Sequence, residues 1–418
     1  MTRALLILSL LLSSICCRAG PLAQANPEEV GMSSARLERL TVALQAAIDS
    51  GELPGTVIMI ARDGKLVYSQ SLGWQNRDER IAMAADSIFR VYSMTKPIVS
   101  VAAMTLVEQG KLSLDEPVSK YIPAFADTRV GVETTDATGA TALELVAPDR
   151  PVSIQDLLRH TSGLTYQMTG KPTAVKKRYI QANIFSQHWT LETFANAIAK
   201  MPLQYQPGTT WEYGHSTDVL ARVVEVASGM PLDRYVKQAV LDPLQMNDTA
   251  FQVATEKQGR IAEPIPDKYT GKTPALIDVR NRVSFFAGGH GLTSTAGDYL
   301  RFSQMLLNGG ELDGKRVLSP MTVRFMASNH LNETISKGSY YIPGPGYGFG
   351  LGFATRLEYG QSHWPGSVGE FYWAGYAGTY FWIDPEENLV VSYMSQEPVR
   401  RQHYRVLLRD LVYQSIIE

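Results

Sequence analysis

Ser93 and Lys96 have the residue types and the spacing of a nucleophile and its proton-handling partner. They form the one S-x-x-K pattern in the chain, Ser93-Met94-Thr95-Lys96. Residues three apart on a helix share a face, so the lysine ammonium would lie beside the serine hydroxyl. A serine hydroxyl is a weak nucleophile until a neighbouring group takes its proton. The pattern therefore predicts a serine nucleophile, with a helix-capping serine and a solvent-facing lysine as the alternative.

The sequence around this pair favours the catalytic interpretation. A strand-like segment, 87–91, precedes the serine, and an apolar helix is predicted from Ser93 to Gln109. Pro97 suits the first helical turn, where a missing N–H group costs little. The helix N-terminus would supply a positive field and free N–H groups for an oxyanion. A partly buried Lys96 could take the serine proton when neutral, or stay charged and assist another base.

Other catalytic chemistries lack their sequence patterns. The nucleophile elbow G-x-S-x-G is absent, since its nearest match, Gly214-His215-Ser216-Thr217-Asp218, lacks the second glycine. The H-E-x-x-H zinc motif and the P-loop are also absent, and no G-x-G-x-x-G follows a strand and opens a helix. The histidines are scattered without ligand spacing: His160, His188, His215, His290, His330, His363 and His403. The sequence thus predicts neither a metal nor a cofactor.

Composition indicates a globular protein, large enough for one large domain or for two that share a core. The chain has 418 residues, of which 44% are apolar and 19% charged. Its net charge is −2, from 39 Lys and Arg against 41 Asp and Glu. Because no basic excess is available to neutralise phosphates, nucleic acid is not an expected partner. The oligomeric state is left open by the sequence.

The first 25 residues have the composition of a secretory signal peptide. A short basic start, Met1-Thr2-Arg3, precedes an apolar run over 4–17, and Ala23-Gln24-Ala25 is a small-x-small cleavage pattern. The apolar run is short for a bilayer span, and no later segment is long and apolar enough. We therefore expect cleavage after Ala25 and a periplasmic or secreted protein without stable membrane insertion. A buried N-terminal helix or a retained anchor is the alternative.

Both cysteines, Cys16 and Cys17, lie within this leader. Their neighbours do not match the pattern of a lipoprotein signal, so lipidation is disfavoured. Cleavage after Ala25 would leave a mature chain without cysteine. Thiol catalysis, disulfides and cysteine-based zinc sites would then be excluded.

Strand patterns occupy both ends of the chain, and helical patterns dominate its middle. Asp63-Gly64 joins β-rich runs at 56–61 and 65–71, which predicts a hairpin. Further strands are predicted at 347–353, 378–383 and 389–394. Helices are predicted at 34–50, 154–159, 191–199, 218–227, 232–239, 295–307 and 401–417, with loops at 130–147, 171–177 and 264–274. The economical architecture is an α/β domain, 26–119 and 286–418, with a helical domain, 120–285, inserted into it.

Three sequence blocks follow one another around and beyond Ser93. The first is Ile88-Phe89-Arg90-Val91-Tyr92-Ser93-Met94-Thr95-Lys96-Pro97, continued by Gly110-Lys111-Leu112-Ser113-Leu114-Asp115-Glu116-Pro117-Val118. The others are Asp156-Leu157-Leu158-Arg159-His160-Thr161-Ser162-Gly163-Leu164 and Gly288-Gly289-His290-Gly291-Leu292-Thr293-Ser294-Thr295-Ala296-Gly297-Asp298. As an ordered set they resemble class C β-lactamases and their esterase relatives, from about residue 30 to the C-terminus. The resemblance implies a β-lactamase/DD-peptidase-like α/β fold: an antiparallel sheet flanked by helices, with an inserted, mostly helical domain.

The resemblance implies a role for Tyr213. That family carries a Tyr-x-Asn motif, and the matching segment is Tyr213-Gly214-His215, with His215 in the place of Asn. A tyrosine beside a lysine can lose its proton more readily and can shuttle the serine proton to the leaving group. An aromatic packing residue is the alternative for Tyr213. His215 is either a substrate contact or a polar loop residue.

The family's third motif, Lys-Thr-Gly or His-x-Gly, lies on a strand at the edge of the site. The matching segment is Trp373-Ala374-Gly375-Tyr376, so a tryptophan replaces the cation that helps β-lactamases hold the substrate carboxylate. Esterases often called family VIII carry Trp-x-Gly there. By resemblance, the backbone N–H groups of Ser93 and Tyr376 would form the oxyanion hole. A core aromatic is the alternative for Trp373.

The resemblance also indicates which residues would contact substrate. We expect them to be Tyr92, His215, Trp373, Ala374 and Gly375. The aromatic-rich segment 340–349 is either a mobile loop beside this site or an irregular surface loop. An aromatic wall in place of a cation favours an apolar acyl or alcohol group.

The sequence thus predicts a carboxylic ester hydrolase that forms an acyl-enzyme on Ser93, with Lys96 and Tyr213 as proton handlers. Which of the two is the formal base stays open. A β-lactamase or a D-amino-acid peptidase acting on cell-wall-type substrates is the first alternative. A peptidoglycan- or penicillin-binding protein without turnover is the second. The expected partner is a small-molecule ester or β-lactam.

Overall fold

The structure is a computed structural model that describes residues 22–418 except residues 136, 140 and 185–188. Residues 1–21 of the predicted leader lie outside the described residues. The α-helices are α1 (Ser34–Asp49), α2 (Thr95–Glu108), α3 (Ile154–Leu158), α4 (Ala174–Gln181), α5 (Leu191–Ile198), α6 (Ser216–Ser228), α7 (Leu232–Val236), α8 (Ala296–Leu307), α9 (Pro320–Ala327) and α10 (Arg401–Tyr413). A 3₁₀ turn over Tyr92–Met94 immediately precedes α2.

The strands concentrate at the two ends of the chain. Those of the first part are β1 (Gly55–Arg62), β2 (Lys65–Asn76), β3 (Ile81–Ala82), β4 (Phe89–Arg90), β5 (Val130–Thr135), β6 (Thr141–Val146) and β7 (Thr210–Trp211). Those of the second are β8 (Thr293–Ser294), β9 (Glu311–Leu312), β10 (Lys315–Arg316), β11 (Ser336–Lys337), β12 (Tyr347–Phe349), β13 (Ala354–Arg356), β14 (Phe371–Ala374), β15 (Tyr380–Asp384) and β16 (Leu389–Ser395).

One large antiparallel sheet joins the two ends of the chain. Within the described residues it has eight strands in the order β12-β13-β14-β15-β16-β1-β2-β3. The strands from the two ends of the chain meet at the pair β1 and β16, in which Thr56 lies opposite Ser395 and Arg62 opposite Leu389. No described strand between β3 and β12 joins this sheet. The predicted fold class, an antiparallel sheet flanked by helices, is confirmed.

The hairpin of β1 and β2 forms where the sequence predicted it. Asp63 and Gly64 have φ values of +51° and +73°, as a two-residue hairpin turn requires. All eight residues of β1 are buried, so both faces of the sheet are covered there. Helix α8 packs against β1, β15 and β16, while α1 packs against β2 and α10.

Helix α2 leads from the S-x-x-K segment into the centre of the molecule. Every residue from Thr95 to Leu106 is buried, and the helix packs against α6 and α7. An apolar helix surrounded on all sides is a stable framework, because its position is set by packing in several directions. The residues at its N-terminal end are therefore held firmly with respect to the helical region and the sheet.

Three predictions about local structure were wrong. The segment 171–177, predicted as a loop, contains the first half of α4, which begins after the capping residue Thr173. The segment 130–147, predicted as a loop, forms the antiparallel hairpin of β5 and β6, in which Val130 lies opposite Val146. The single strand predicted over 347–353 is divided into β12 and β13 by a turn at Gly352, whose φ is +100°. Glycine adopts this conformation without the steric strain of a side chain.

A buried ionic network attaches α10 to the sheet. Glu370, just before β14, is fully buried and pairs with Arg356 at 2.9 Å and with Arg409 of α10. The hydroxyls of Tyr347 and Tyr413 also donate to this carboxylate. Such a pair offsets its desolvation only when its remaining hydrogen-bonding groups are satisfied, as they are for Glu370. The network fixes α10 against β14, the strand that carries Trp373.

Candidate active site

Ser93 lies in the 3₁₀ turn Tyr92–Met94, immediately before α2. Tyr92 has a φ of +44°, a left-handed conformation that a bulky side chain adopts only where surrounding structure holds it. One bond that holds the turn comes from the Tyr299 hydroxyl, which donates to the Met94 carbonyl at 2.8 Å. Strained backbone of this kind is concentrated at functional sites, and here it presents Ser93 to a cavity.

Lys96 is buried beside Ser93, with 1% of its surface exposed. Its Nζ donates to the Gly289 carbonyl at 2.7 Å, to Ser93 Oγ at 3.2 Å and to the Tyr166 hydroxyl at 3.3 Å. A protonated amine has three N–H donors, which these three acceptors match. Lys96 forms no ion pair with a carboxylate of the described residues. The arrangement suits a cation that orients the serine hydroxyl and stabilises negative charge near it.

Tyr213 completes the predicted trio. Its ring lies under the Lys96 ammonium, with Nζ 4.6 Å from the ring centroid. The Tyr213 hydroxyl is buried and has no hydrogen-bond partner among the described residues. Buried polar groups are normally bonded, so a free phenol beside a nucleophile is ready to bond a ligand. Gly214 allows the backbone after Tyr213 to pass close to Leu164, because a Cβ at position 214 would lie 2.3 Å from the Leu164 carbonyl oxygen.

A second tyrosine, Tyr166, also contacts Lys96, and the sequence interpretation missed it. It lies two residues after the block that ends at Leu164, and its ring centroid is 5.3 Å from that of Tyr213. Burial raises the pKa of Tyr166 well above its usual value, and the charge of Asp218 acts in the same direction. Tyr166 therefore keeps its proton near neutral pH. A tyrosine directly after a recognised block was the only available signal in the sequence.

A hydrogen-bonded chain runs from Lys96 into the protein. The Gly289 carbonyl accepts from Lys96, and the Gly289 N–H, in the preceding peptide group, donates to Asp218 Oδ1 at 2.7 Å. The other oxygen of Asp218 contacts His215 Nδ1 at 3.0 Å. Burial would raise the pKa of Asp218, but the hydrogen bond from His215 and the nearby cations lower it to about 2. Asp218 is therefore linked to Lys96 through the backbone of one residue, Gly289.

His215 lies outside the cavity, so the structure does not place it as a substrate contact. It is 1% exposed and precedes the first turn of α6, where its ring packs 4.5 Å from that of Tyr166 and 5.4 Å from that of Phe194. The side chain is bonded to Asp218 instead of facing the cavity. His290, which the sequence interpretation did not select, does line the cavity, and burial lowers its pKa, so that its ring is neutral near pH 7.

The segment after β14 forms the opposite wall. Trp373 is 2% exposed, and its ring centroid is 5.5 Å from that of Tyr213. The Gly375 N–H donates to the Thr379 carbonyl at 2.8 Å, which turns the chain at the end of the strand. Tyr376 follows, and its half-exposed ring contacts the ring of Tyr92 at 5.4 Å.

A cavity of about 510 Å³ lies between these walls. Its lining contains the predicted residues Ser93, Tyr213, Tyr92, Trp373, Ala374, Gly375 and Tyr376. The segment 340–349 contributes Tyr340 and Ile342, and further aromatic lining comes from Tyr166, Trp364, Tyr372 and Tyr380. The cavity has the size and the aromatic lining of a small-molecule site.

The described residues contain no group of three or more His, Asp, Glu or Cys side chains arranged to hold a metal ion. In the same residues, no helix is both long and apolar enough to cross a bilayer.

A turn that presents a serine at the head of a buried helix, facing a cavity edged by an antiparallel sheet, is the arrangement of the β-lactamase fold. The β-lactamase family profile matches residues 38–413, and the chain belongs to that family. The match covers the sheet, the helical region and every residue of the site.

Relatives include proteins named for ester hydrolysis. Protein Rv1367c of Mycobacterium tuberculosis is 34% identical over 373 residues, 84% of this chain and 88% of its own. Esterase EstB of Burkholderia gladioli is 30% identical over 350 residues, 78% of this chain and 82% of its own. Another relative, from Escherichia coli, is provisionally named a D-alanyl-D-alanine carboxypeptidase. Among solved structures, EstCE1, described as a hydrolase with promiscuous acyltransferase activity, has a TM-score of 0.77 at 27% identity, covering 91% of this chain and 99% of its own.

Proposed function

We propose that the protein hydrolyses carboxylic esters through an acyl-enzyme on Ser93. The observation that carries the proposal is the contact of Lys96 Nζ with Ser93 Oγ at 3.2 Å, over the ring of Tyr213 and at the wall of an aromatic cavity. A hydroxyl, a buried amine and an unbonded phenol in one place are the groups that acyl transfer needs.

In the acylation step, Ser93 Oγ attacks the ester carbonyl while its proton passes to the phenolate oxygen of Tyr213, the form in which this side chain acts as the base. Lys96 assists, because a positive charge beside the phenol and the serine oxygen favours the negative charge that develops on each. Tyr213 then gives the proton to the leaving alcohol. Water releases the acyl group by the same route in reverse, so each proton taken from a nucleophile is returned to a leaving group.

The oxyanion would be held by the backbone N–H groups of Ser93 and Tyr376. The two residues come from different walls of the cavity, and Tyr92 and Tyr376 pack together at 5.4 Å. Fixed N–H donors need no reorganisation as charge develops, which is why such a site lowers the barrier.

An ester fits this site better than a β-lactam or a peptide. The wall where β-lactamases carry a cation is Trp373, which is 2% exposed and packs against Tyr213 and Phe349. No cationic side chain replaces it on β14. An apolar wall binds alkyl and aryl groups through burial, whereas it leaves a peptide amide without bonding partners.

A substrate panel tests the proposal. We expect p-nitrophenyl butanoate to be hydrolysed with a kcat/KM at least about a hundredfold above that for nitrocefin. No release of D-alanine from a peptide ending in D-Ala-D-Ala is expected. Faster turnover of either cell-wall-type substrate would replace the ester assignment by the first alternative. Covalent labelling of Ser93 by a fluorophosphonate, without turnover of any ester, lactam or peptide, would support a binding protein instead.

Gly375→Ala is expected to lower kcat/KM for p-nitrophenyl butanoate about 100-fold. A Cβ at this position would lie 2.1 Å from Thr379 Oγ1 and 2.4 Å from the Val91 carbonyl. Since neither the backbone of Val91 nor the short Thr379 side chain can move away easily, the segment that carries the Tyr376 N–H must shift. Gly259→Ala is the matched control, because a Cβ there meets no atom within 4 Å. Equal activity of the two variants would show that this segment tolerates displacement.

We also propose export of the chain, supported by the basic, apolar and small-residue order of residues 1–25.

A further inference from the structure

The cavity has one strongly charged region. Besides its aromatic lining it contains Arg401, Gln402 and Arg405, all from the first turns of α10. Arg401 and Arg405 are four residues apart, so they lie on the same face of the helix. No Asp or Glu of the described residues lines the cavity. Two guanidinium groups thus face a space that otherwise suits apolar ligands.

Neighbouring arginines of the same region have acidic partners, but these two do not. Arg400 pairs with Glu52, and Arg409 pairs with Glu370. Arg401 bonds to the Pro398 carbonyl, and its guanidinium lies 5.0 Å from the ring of Tyr376. In the part of the chain that the structure describes, neither Arg401 nor Arg405 forms an ion pair.

Arg405 contacts the segment that follows β14. Its Nη2 donates to the Gly375 carbonyl at 2.7 Å, and its guanidinium lies 5.8 Å from the ring of Tyr380. Its Nε is buried and has no hydrogen-bond partner among the described residues. Burial lowers the pKa of Arg405 to about 10, and the adjacent charge of Arg401 acts in the same direction. An anion beside these two cations would relieve their repulsion and restore the interactions that burial removes.

We infer that Arg401 and Arg405 bind an anionic group, a carboxylate, carried by the ester substrate. The inference rests on the proposed function and names its substrate class: esters with an apolar body and a carboxylate at one end. The guanidinium fork of arginine matches a carboxylate in two parallel hydrogen bonds while its plane stacks on an aromatic ring. These two cations come from α10 and do not restore a cation at the position of Trp373 on β14.

Two matched substrate pairs test the inference. Mono-p-nitrophenyl adipate and p-nitrophenyl hexanoate differ by a carboxylate on the acyl side, and 3-(butanoyloxy)benzoate and phenyl butanoate differ by one on the alcohol side. The wild type is expected to prefer the anionic member of one pair, which identifies the side that faces α10. In Arg401→Gln and Arg405→Gln the ratio of anionic to neutral kcat/KM is expected to fall about tenfold or more, mainly through KM. Arg401→Lys, which keeps the charge but loses the two-pronged geometry, should give a ratio between those of the wild type and Arg401→Gln.

The neutral ester in each pair reports on folding and on the catalytic groups in the same sample. A ratio that stays unchanged in both glutamine variants for both pairs would overturn the inference, as would an equal loss in Arg401→Lys and Arg401→Gln. If no ester at all is hydrolysed, the proposed function is wrong, but the anion site can still be tested by binding. Calorimetry would compare the binding of phenylboronic acid with that of 3-carboxyphenylboronic acid. Tighter binding of the carboxylated compound, lost in both glutamine variants, would support the anion site.

Discussion

Ser93→Ala is expected to abolish ester hydrolysis, with kcat/KM reduced by about 10⁴-fold or more. The Oγ atom removed is the atom that forms the acyl bond, and no other described group can replace it at the end of the Lys96 contact. The fold should be retained, because Lys96 keeps its bonds to the Gly289 carbonyl and the Tyr166 hydroxyl. Hydrolysis of p-nitrophenyl butanoate and thermal unfolding of both proteins are the measurements.

Ser100→Ala serves as the matched control for this substitution. Ser100 is on α2, seven residues after Ser93, and is 1% exposed. It lies outside the cavity lining, so its replacement should leave kcat/KM close to that of the wild type. Activity surviving in Ser93→Ala, with fluorophosphonate labelling at another serine, would place the nucleophile elsewhere and remove the basis of the mechanism.

The parts of the site that sequence could predict are those set by short spacing or by matching blocks. Ser93 and Lys96 are brought together by one helical turn, which spacing alone specifies. Trp373 and Tyr213 are 160 positions apart in the chain, and only the resemblance indicated that they share a site. The structure brings them together because β14 packs against the turn Tyr92–Met94, while Tyr213 lies under Lys96 in the first turn of α2.

The placement of Tyr166 and of His215 could not be predicted from spacing or from matching sequence blocks. The Tyr166 hydroxyl reaches Lys96 because the Tyr166 N–H bonds to the Tyr213 carbonyl at 3.3 Å and places two loops side by side. That pairing joins segments 47 residues apart and has no local signature. His215 occupies the position of a family contact residue, but the carboxylate of Asp218, three residues on, binds its ring and holds it away from the cavity. A polar side chain thus faces the partner that satisfies it.

The strength of the local sequence pattern explains why the hairpin of β1 and β2 was predicted and that of β5 and β6 was not. Asp63-Gly64 supplies two residues that tolerate a positive φ, so its turn type could be identified directly. The hairpin of β5 and β6 has a weaker hydrophobic pattern: Val130 is buried, whereas Val132 and Leu145 are 39% and 42% exposed. Its pairing to Leu203 is a tertiary contact that the local sequence does not indicate.

Tyr213→Phe is expected to lower kcat about 10³-fold, whereas Tyr166→Phe should lower it by about tenfold or less. Both substitutions remove one hydroxyl from a buried ring near Lys96 and keep the ring packing. They differ in what the hydroxyl does. The Tyr213 hydroxyl has no partner among the described residues and lies in the cavity wall, so it can exchange a proton with substrate. Tyr166 contacts Lys96 at 3.3 Å, and burial raises its pKa so that it stays protonated.

The two variants therefore separate a proton carrier from a residue that positions Lys96. Single-turnover acylation by p-nitrophenyl butanoate and the rate of fluorophosphonate labelling give the chemical step without product release. Tyr213→Phe should slow acylation even with an ester whose leaving group needs no proton, because Ser93 still has to lose one. Tyr166→Phe should change the rate equally for good and poor leaving groups. The reverse order of effects would make Tyr166 the proton carrier and would turn the unbonded phenol of Tyr213 into a packing residue.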